Sequence, residues 1–149
     1  MRATKSIAII GMAILGLITL TACSPKAHIS ATLHEGKVRF LLCDSFAANK
    51  IVVRSSPLRA TTTDYQPTWV AVGSGQTTSV PVSYGAPPPG FASVGVPHQL
   101  VPEDSLISIA YMHLSGGKLE SDMVGIFDGS RLSSTKWLNW DGNSVDNPC

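Results

Sequence analysis

The sequence predicts an all-β fold: a two-layer antiparallel β-sandwich. Three observations carry that expectation. Short runs of alternating apolar and polar residues recur through residues 28–127. Clusters of Gly, Pro, Asn, Asp and Ser separate them at intervals of about eight to twelve residues. No long stretch holds the apolar period of an amphipathic helix.

The elements follow in order. Residues 28–33 place Ile29, Ala31 and Leu33 on one face and His28, Ser30 and Thr32 on the other, a half-buried strand. Glu35-Gly36 is a tight turn, with Gly free to take positive φ. Residues 37–43 return as a second strand with Val38, Phe40 and Leu42 inward, and Asp44-Ser45 and Asn49 break it. Ile51, Val52 and Val53 form a β-branched third strand. Residues 56–66 are polar and read as a loop. Residues 68–72 carry Trp69 on a fourth strand that stops at Gly73-Ser74-Gly75. Residues 77–84 alternate again, but Pro81 inside them demands an edge strand or a bulge.

Residues 85–102 form the longest irregular stretch. Pro87, Pro88 and Pro89 favour polyproline II, ended by Gly90. Residues 106–113 are apolar on both faces, with Ile107, Ile109 and Tyr111 against Leu106, Ala110 and Met112. A Ser115-Gly116-Gly117 turn joins them to residues 118–127. Residues 128–149 are a tail anchored by Trp137, Leu138 and Trp140, with room for a short helical turn. About seven such strands suit a sandwich, immunoglobulin-like in outline, with a small closed barrel as the alternative. The immunoglobulin signature itself is missing: Trp69 follows Cys43 by 26 residues, and the other cysteine ends the chain. There is no internal repeat. Residues 28–149 read as a single domain with a C-terminal tail.

The N-terminus is read differently. Arg2 and Lys5 precede an uncharged run over residues 7–22, which ends Leu20-Thr21-Ala22-Cys23. A basic start, an apolar middle and a small-residue end make a secretory signal. The alternative is a transmembrane helix, for which about 20 apolar residues are needed. Gly11, Gly16 and the missing basic stop-transfer cluster argue against it. A buried core helix is the third reading. The ending resembles the lipobox of bacterial lipoproteins. That resemblance implies a signal peptide over residues 1–22 and a lipidated tether over residues 23–27. It implies acylation on Cys23 and an anchor of two or three acyl chains at the extracytoplasmic face of a cell membrane. Ser24 then suits outer-membrane sorting in a two-membrane cell; a one-membrane cell would place the anchor in its plasma membrane.

Charge excludes one class of partner. The whole chain has 11 basic and 10 acidic side chains, and Arg2 and Lys5 belong to the signal. The remainder is nearly neutral and carries no basic stripe for phosphates, so nucleic acid is not an expected partner. With Cys23 lipidated, Cys43 and Cys149 remain, in a compartment that permits disulfides. A structural Cys43–Cys149 bridge is expected over a reactive thiol or metal ligand, because no CxxC or nearby His accompanies either cysteine.

Motifs for chemistry are weak. Ser133-Ser134-Thr135-Lys136 matches S-x-x-K, but Ser121-Asp122-Met123 is not S-D-N and no K-T-G follows. Asp141-Gly142-Asn143-Ser144-Val145-Asp146 opens like a calcium loop but lacks the central Gly and the closing Glu. His28, His34, His98 and His113 show no zinc spacing. No metal or other cofactor is expected. Trp69, Trp137, Trp140, Tyr65, Tyr84 and Tyr111 would suit a sugar platform, though such residues more often fill a core.

Cys43-Asp44-Ser45-Phe46, Trp69, Trp137-Leu138, Asp141-Gly142 and Pro148-Cys149 together resemble small uncharacterised lipoproteins of high-GC Gram-positive bacteria. That family implies no activity and no functional residues. The expectation is a non-enzymatic binding or structural module at the membrane surface, with an envelope protein, peptide or glycan as partner. Its contact residues would be Pro87, Pro88 and Pro89 on one loop and Trp137 and Trp140 on the tail. A small hydrolase acting on envelope material, using Ser133, Lys136 or an Asp within residues 141–146, is the alternative.

Overall fold

The computed structural model describes residues 28–59, 66–76 and 80–149. Ten strands are present among them: β1 (Ile29–His34), β2 (Lys37–Leu42), β3 (Ala47–Pro57), β4 (Gln66–Gln76), β5 (Val82–Ser83), β6 (Phe91–Ser93), β7 (Ser105–Ser115), β8 (Lys118–Asp128), β9 (Trp137–Asn139) and β10 (Ser144–Val145). They form two antiparallel sheets, ordered β10-β9-β1-β2-β5 and β6-β4-β3-β7-β8. The fold is therefore an all-β sandwich. Among the described residues no helix is long and apolar enough to cross a membrane.

Alternation places the core between the sheets. Ile29, Ala31, Val38, Phe40 and Leu42 point inward from the first sheet. Ile51, Val53, Trp69, Ile107, Ile109, Tyr111 and Phe127 meet them from the second. Phe40 and Phe127 touch across the layers at 6.2 Å between centroids. The β1–β2 turn is the expected one, and Glu35 as well as Gly36 takes positive φ (51° and 74°), as a type I′ hairpin requires.

Several expectations need correction. The loop expected over residues 56–66 is narrower, because β3 runs on to Pro57 and β4 begins at Gln66. The middle of that loop, residues 60–65, lies outside the described residues. Of the strand expected over residues 77–84, Val82–Ser83 alone is strand among the described residues; it pairs with Arg39 and Phe40 at the sheet edge, where Pro81 leaves no ladder donor. Residues 77–79 lie outside the described residues. The irregular stretch yields β6, which pairs with Ala71, Val72 and Gly73.

The tail is more ordered than expected. It starts with a 3₁₀ turn, Gly129–Arg131, and then adds two strands to the β1 edge. It also explains why Ser30 and Thr32, on the outward face of β1, are buried. The Ser30 hydroxyl donates to Asn139 Oδ1 at 2.7 Å. The Thr32 hydroxyl lies between the carbonyls of Ser133 (2.7 Å) and Lys136 (3.0 Å). The chain terminus is held by the Cys43–Cys149 disulfide, with Cα atoms 5.5 Å apart and a sequence separation of 106.

Candidate functional site

The sandwich has two distinguishable ends. β1 starts at one of them, where Cys43 N donates to His28 O at 2.9 Å. The disulfide lies there. So does the β7–β8 turn: the Phe46 ring stacks edge-on against His113, and Leu114 N donates to Asn49 Oδ1 at 2.8 Å. The opposite end carries the β1–β2 turn and the starts of β4 and β7. Both clefts described here are at that opposite end.

The first cleft has a volume of about 360 Å³, and its walls include Lys37, Tyr84, Pro97, His98, Leu100 and Pro102. Its geometry is set by Tyr84. That residue follows the edge strand β5, and its N–H donates to Val38 O at 2.8 Å. Its side chain reaches across to the other sheet. The hydroxyl lies 2.9 Å from Thr68 O and 2.7 Å from His98 O, so its one proton serves both carbonyls. The ring meets Trp69 edge-on at 5.9 Å, and Trp69 Nε1 donates to Ser93 Oγ at 3.0 Å. Burial pushes the Tyr84 phenol up, against the opposing effect of its hydrogen bond to Thr68. It is a neutral donor at physiological pH. Gly85 follows at φ 80°, and a Cβ there would press on the Pro97 ring at 3.3 Å.

The cleft thus has fixed aromatic and proline walls with an amine and an imidazole beside them. Among the described residues no carboxylate lines it. That chemistry suits an extended ligand with apolar segments and a carboxylate. The second cleft, of about 570 Å³, gathers Pro57, Leu58, Arg59, Glu103, Asp104 and Ser130. Leu58 N donates to Asp104 O at 3.0 Å across it.

The residues singled out from sequence are dispersed. Cys23 lies outside the described residues, as does Tyr65. Cys43 and Cys149 are bonded to each other. Pro87 and Pro88 are half-buried and Pro89 is exposed. Their loop crosses from β5 to β6 and closes one edge of the sandwich, with Phe91 N donating to Pro88 O. Trp137 and Trp140 are half-buried at the other edge, and Trp140 N donates to Ile29 O at 3.1 Å. The two expected contact regions therefore do not share a surface. Trp69 and Tyr111 are core residues.

The candidate catalytic groups have local partners. Ser133 Oγ is 3.0 Å from Thr135 Oγ1 and accepts from Thr135 N. Lys136 Nζ faces Asp146 at 4.0 Å. Asp141 accepts from Asn143 N and Asn143 Nδ2, which makes it the pivot of a turn. Among the described residues no group of three or more His, Cys, Asp or Glu side chains is gathered as metal ligands. His28 stands 3.7 Å from Asp44. Sequence reasoning missed Lys37, Tyr84 and His98 as a set. The available signal was the irregular stretch after Tyr84, which brings residues 97–102 back onto the β1–β2 turn.

Comparison with family models, curated proteins and solved structures finds no match to this chain. A functional reading therefore rests on the site itself.

Proposed function

We propose that the protein is an envelope lipoprotein anchored through Cys23 and that it works as a non-enzymatic binding module. The cleft walled by Lys37, Tyr84 and His98 receives a carboxylate-bearing peptide or glycan of the envelope. One observation supports this reading above the others. The cleft lies at the end of the sandwich opposite the start of β1, so an anchor at Cys23 would hold it away from the membrane. β1 has six residues, and a strand of that length spans about 20 Å. The fixed Tyr84 ring and proline walls lose little freedom on binding, which favours recognition.

Two measurements test the reading separately. Replacing Cys23 by Ala should abolish lipid labelling and membrane fractionation; a Cys23→Ala protein that stays acylated removes the anchor. Titration of the exported protein with acidic envelope peptides and glycan fragments should show saturable binding. Lys37→Glu should weaken it by about tenfold, the loss expected of one charge-assisted contact. Binding indifferent to Lys37→Glu and His98→Ala would remove the cleft from the proposal. Turnover of a fragment in place of binding would favour the hydrolase.

A further inference from the structure

The outer face of the β6-β4-β3-β7-β8 sheet breaks the rule that a solvated sheet face is polar. Ile51 and Val53 enter the core, so Val52 between them points outward. The pairing then lines up Val70, Val52, Ala110 and Val124 across four strands, with Val52 and Ala110 at its centre buried and the exposed apolar side chains around them. Val72, Met112 and Ile126 flank that row, and Leu114 and Leu119 pair with each other at the tip of the β7–β8 hairpin. Val72, Val124, Ile126, Leu119 and Leu114 are 42%, 46%, 52%, 42% and 57% exposed. Among the described side chains the charges on this face are Lys50 and Arg54 on β3 and Asp128 at the far end of β8; Lys118 and Glu120, beside Leu119, take the opposite side of the hairpin.

We infer that this face, led by the Leu114–Leu119 hairpin tip, is a membrane-docking surface whose occupant is an anionic bilayer. The inference rests on the lipid anchor at Cys23 proposed above. The hairpin tip lies at the same end of the sandwich as His28. Five residues from Cys23 to His28 reach at most about 18 Å. That end is then held close to the headgroups, with two exposed leucines leading. Charge selects among occupants. Lys50 and Arg54 complement lipid phosphates. A second copy docked face to face would set these cations against each other, with Asp128 alone among the described side chains of the face to offset them. The tip would dip into the headgroup boundary as an interfacial apolar face does, and the cleft at the other end would stay accessible.

The test uses the full chain, exported, purified and reconstituted into phosphatidylglycerol-containing vesicles with brominated acyl chains. Tryptophan is introduced as Leu119→Trp or Val124→Trp on the face, and as Glu35→Trp at the opposite turn. All three positions are exposed, and the retained Cys43–Cys149 bridge verifies folding. Bromolipid should quench the added fluorescence of Leu119→Trp about twofold or more over Glu35→Trp, with Val124→Trp between, since such faces sit within about 5–10 Å of the acyl boundary. The mass of the mature N-terminus is read on the same samples. An acylated protein with equal quenching at all three positions overturns the docking face and leaves the anchor standing. An unacylated Cys23 overturns both. A dimer that Leu119→Glu dissociates, with no quenching, assigns the face to a second copy and overturns the bilayer.

Discussion

Tyr111 shows how one buried group can be tested. Its ring belongs to the core, yet its hydroxyl is buried with no hydrogen-bond partner among the described residues. An unpaired buried hydroxyl costs about 1–3 kcal/mol. Tyr111→Phe should therefore raise stability, by about 1 kcal/mol after loss of the hydroxyl's packing. Burial also pushes the Tyr111 phenol above its ordinary value. A group raised in the folded state stabilises fully below its unfolded pKa and loses that contribution as pH climbs through the folded value. Wild-type stability should thus fall above about pH 10, and Tyr111→Phe should blunt that fall. Thermal melts of both proteins across the alkaline range measure this. A Tyr111→Phe protein that melts well below wild type at neutral pH would show that the hydroxyl has a partner.

At the scale of elements, the edge between β5 and β6 depends on a close backbone approach. A Cβ on Gly73 would lie 2.0 Å from Gly90 O, so β4 and the proline loop touch only because Gly73 has no side chain. Gly73→Ala should destabilise the protein by about 1–3 kcal/mol, as overpacking does. It should also release residues 87–93 to hydrogen exchange before β3 or β7. Exchange loss spread evenly over both sheets would contradict this. The same comparison shows what the sequence made legible. Period-two alternation identified the inward faces of β1 and β2, because burial on one side writes itself into every second residue, whereas β7 read as apolar on both faces. Pro81 marked β5 as an edge. The short partners β6, β9 and β10 were invisible, since two or three residues cannot display a period. The cleft was equally hidden: Lys37, Tyr84 and His98 are far apart in sequence, and only the return of residues 97–102 onto the β1–β2 turn assembles them.

For the molecule as a whole, the deciding link is the one between its last residue and its second strand. Ser30 and Thr32 bind the tail through hydrogen bonds, and Lys136 meets Asp146, an exposed pair that contributes little. Cys43–Cys149 encloses nearly the whole sandwich, so its effect acts chiefly on the unfolded chain. Closing a loop of about 100 residues contributes up to about 4.7 kcal/mol by removing chain entropy. A typical domain has only about 5–15 kcal/mol in total. The Cys43→Ser, Cys149→Ser double variant should therefore lose roughly 3–5 kcal/mol in denaturant unfolding, with little change in the slope. Its β9 and β10 should exchange amide protons first, because the tail then depends on short ladders alone. The core strands β3 and β7, each 11 residues long and flanked by a strand on both sides, should keep their protection until global unfolding. A double variant with unchanged midpoint would mean that the hydrogen bonds of Ser30 and Thr32 to the tail, and of Trp140 N to Ile29 O, suffice. The disulfide would then protect the tail against proteolysis and leave the fold's stability to the two sheets.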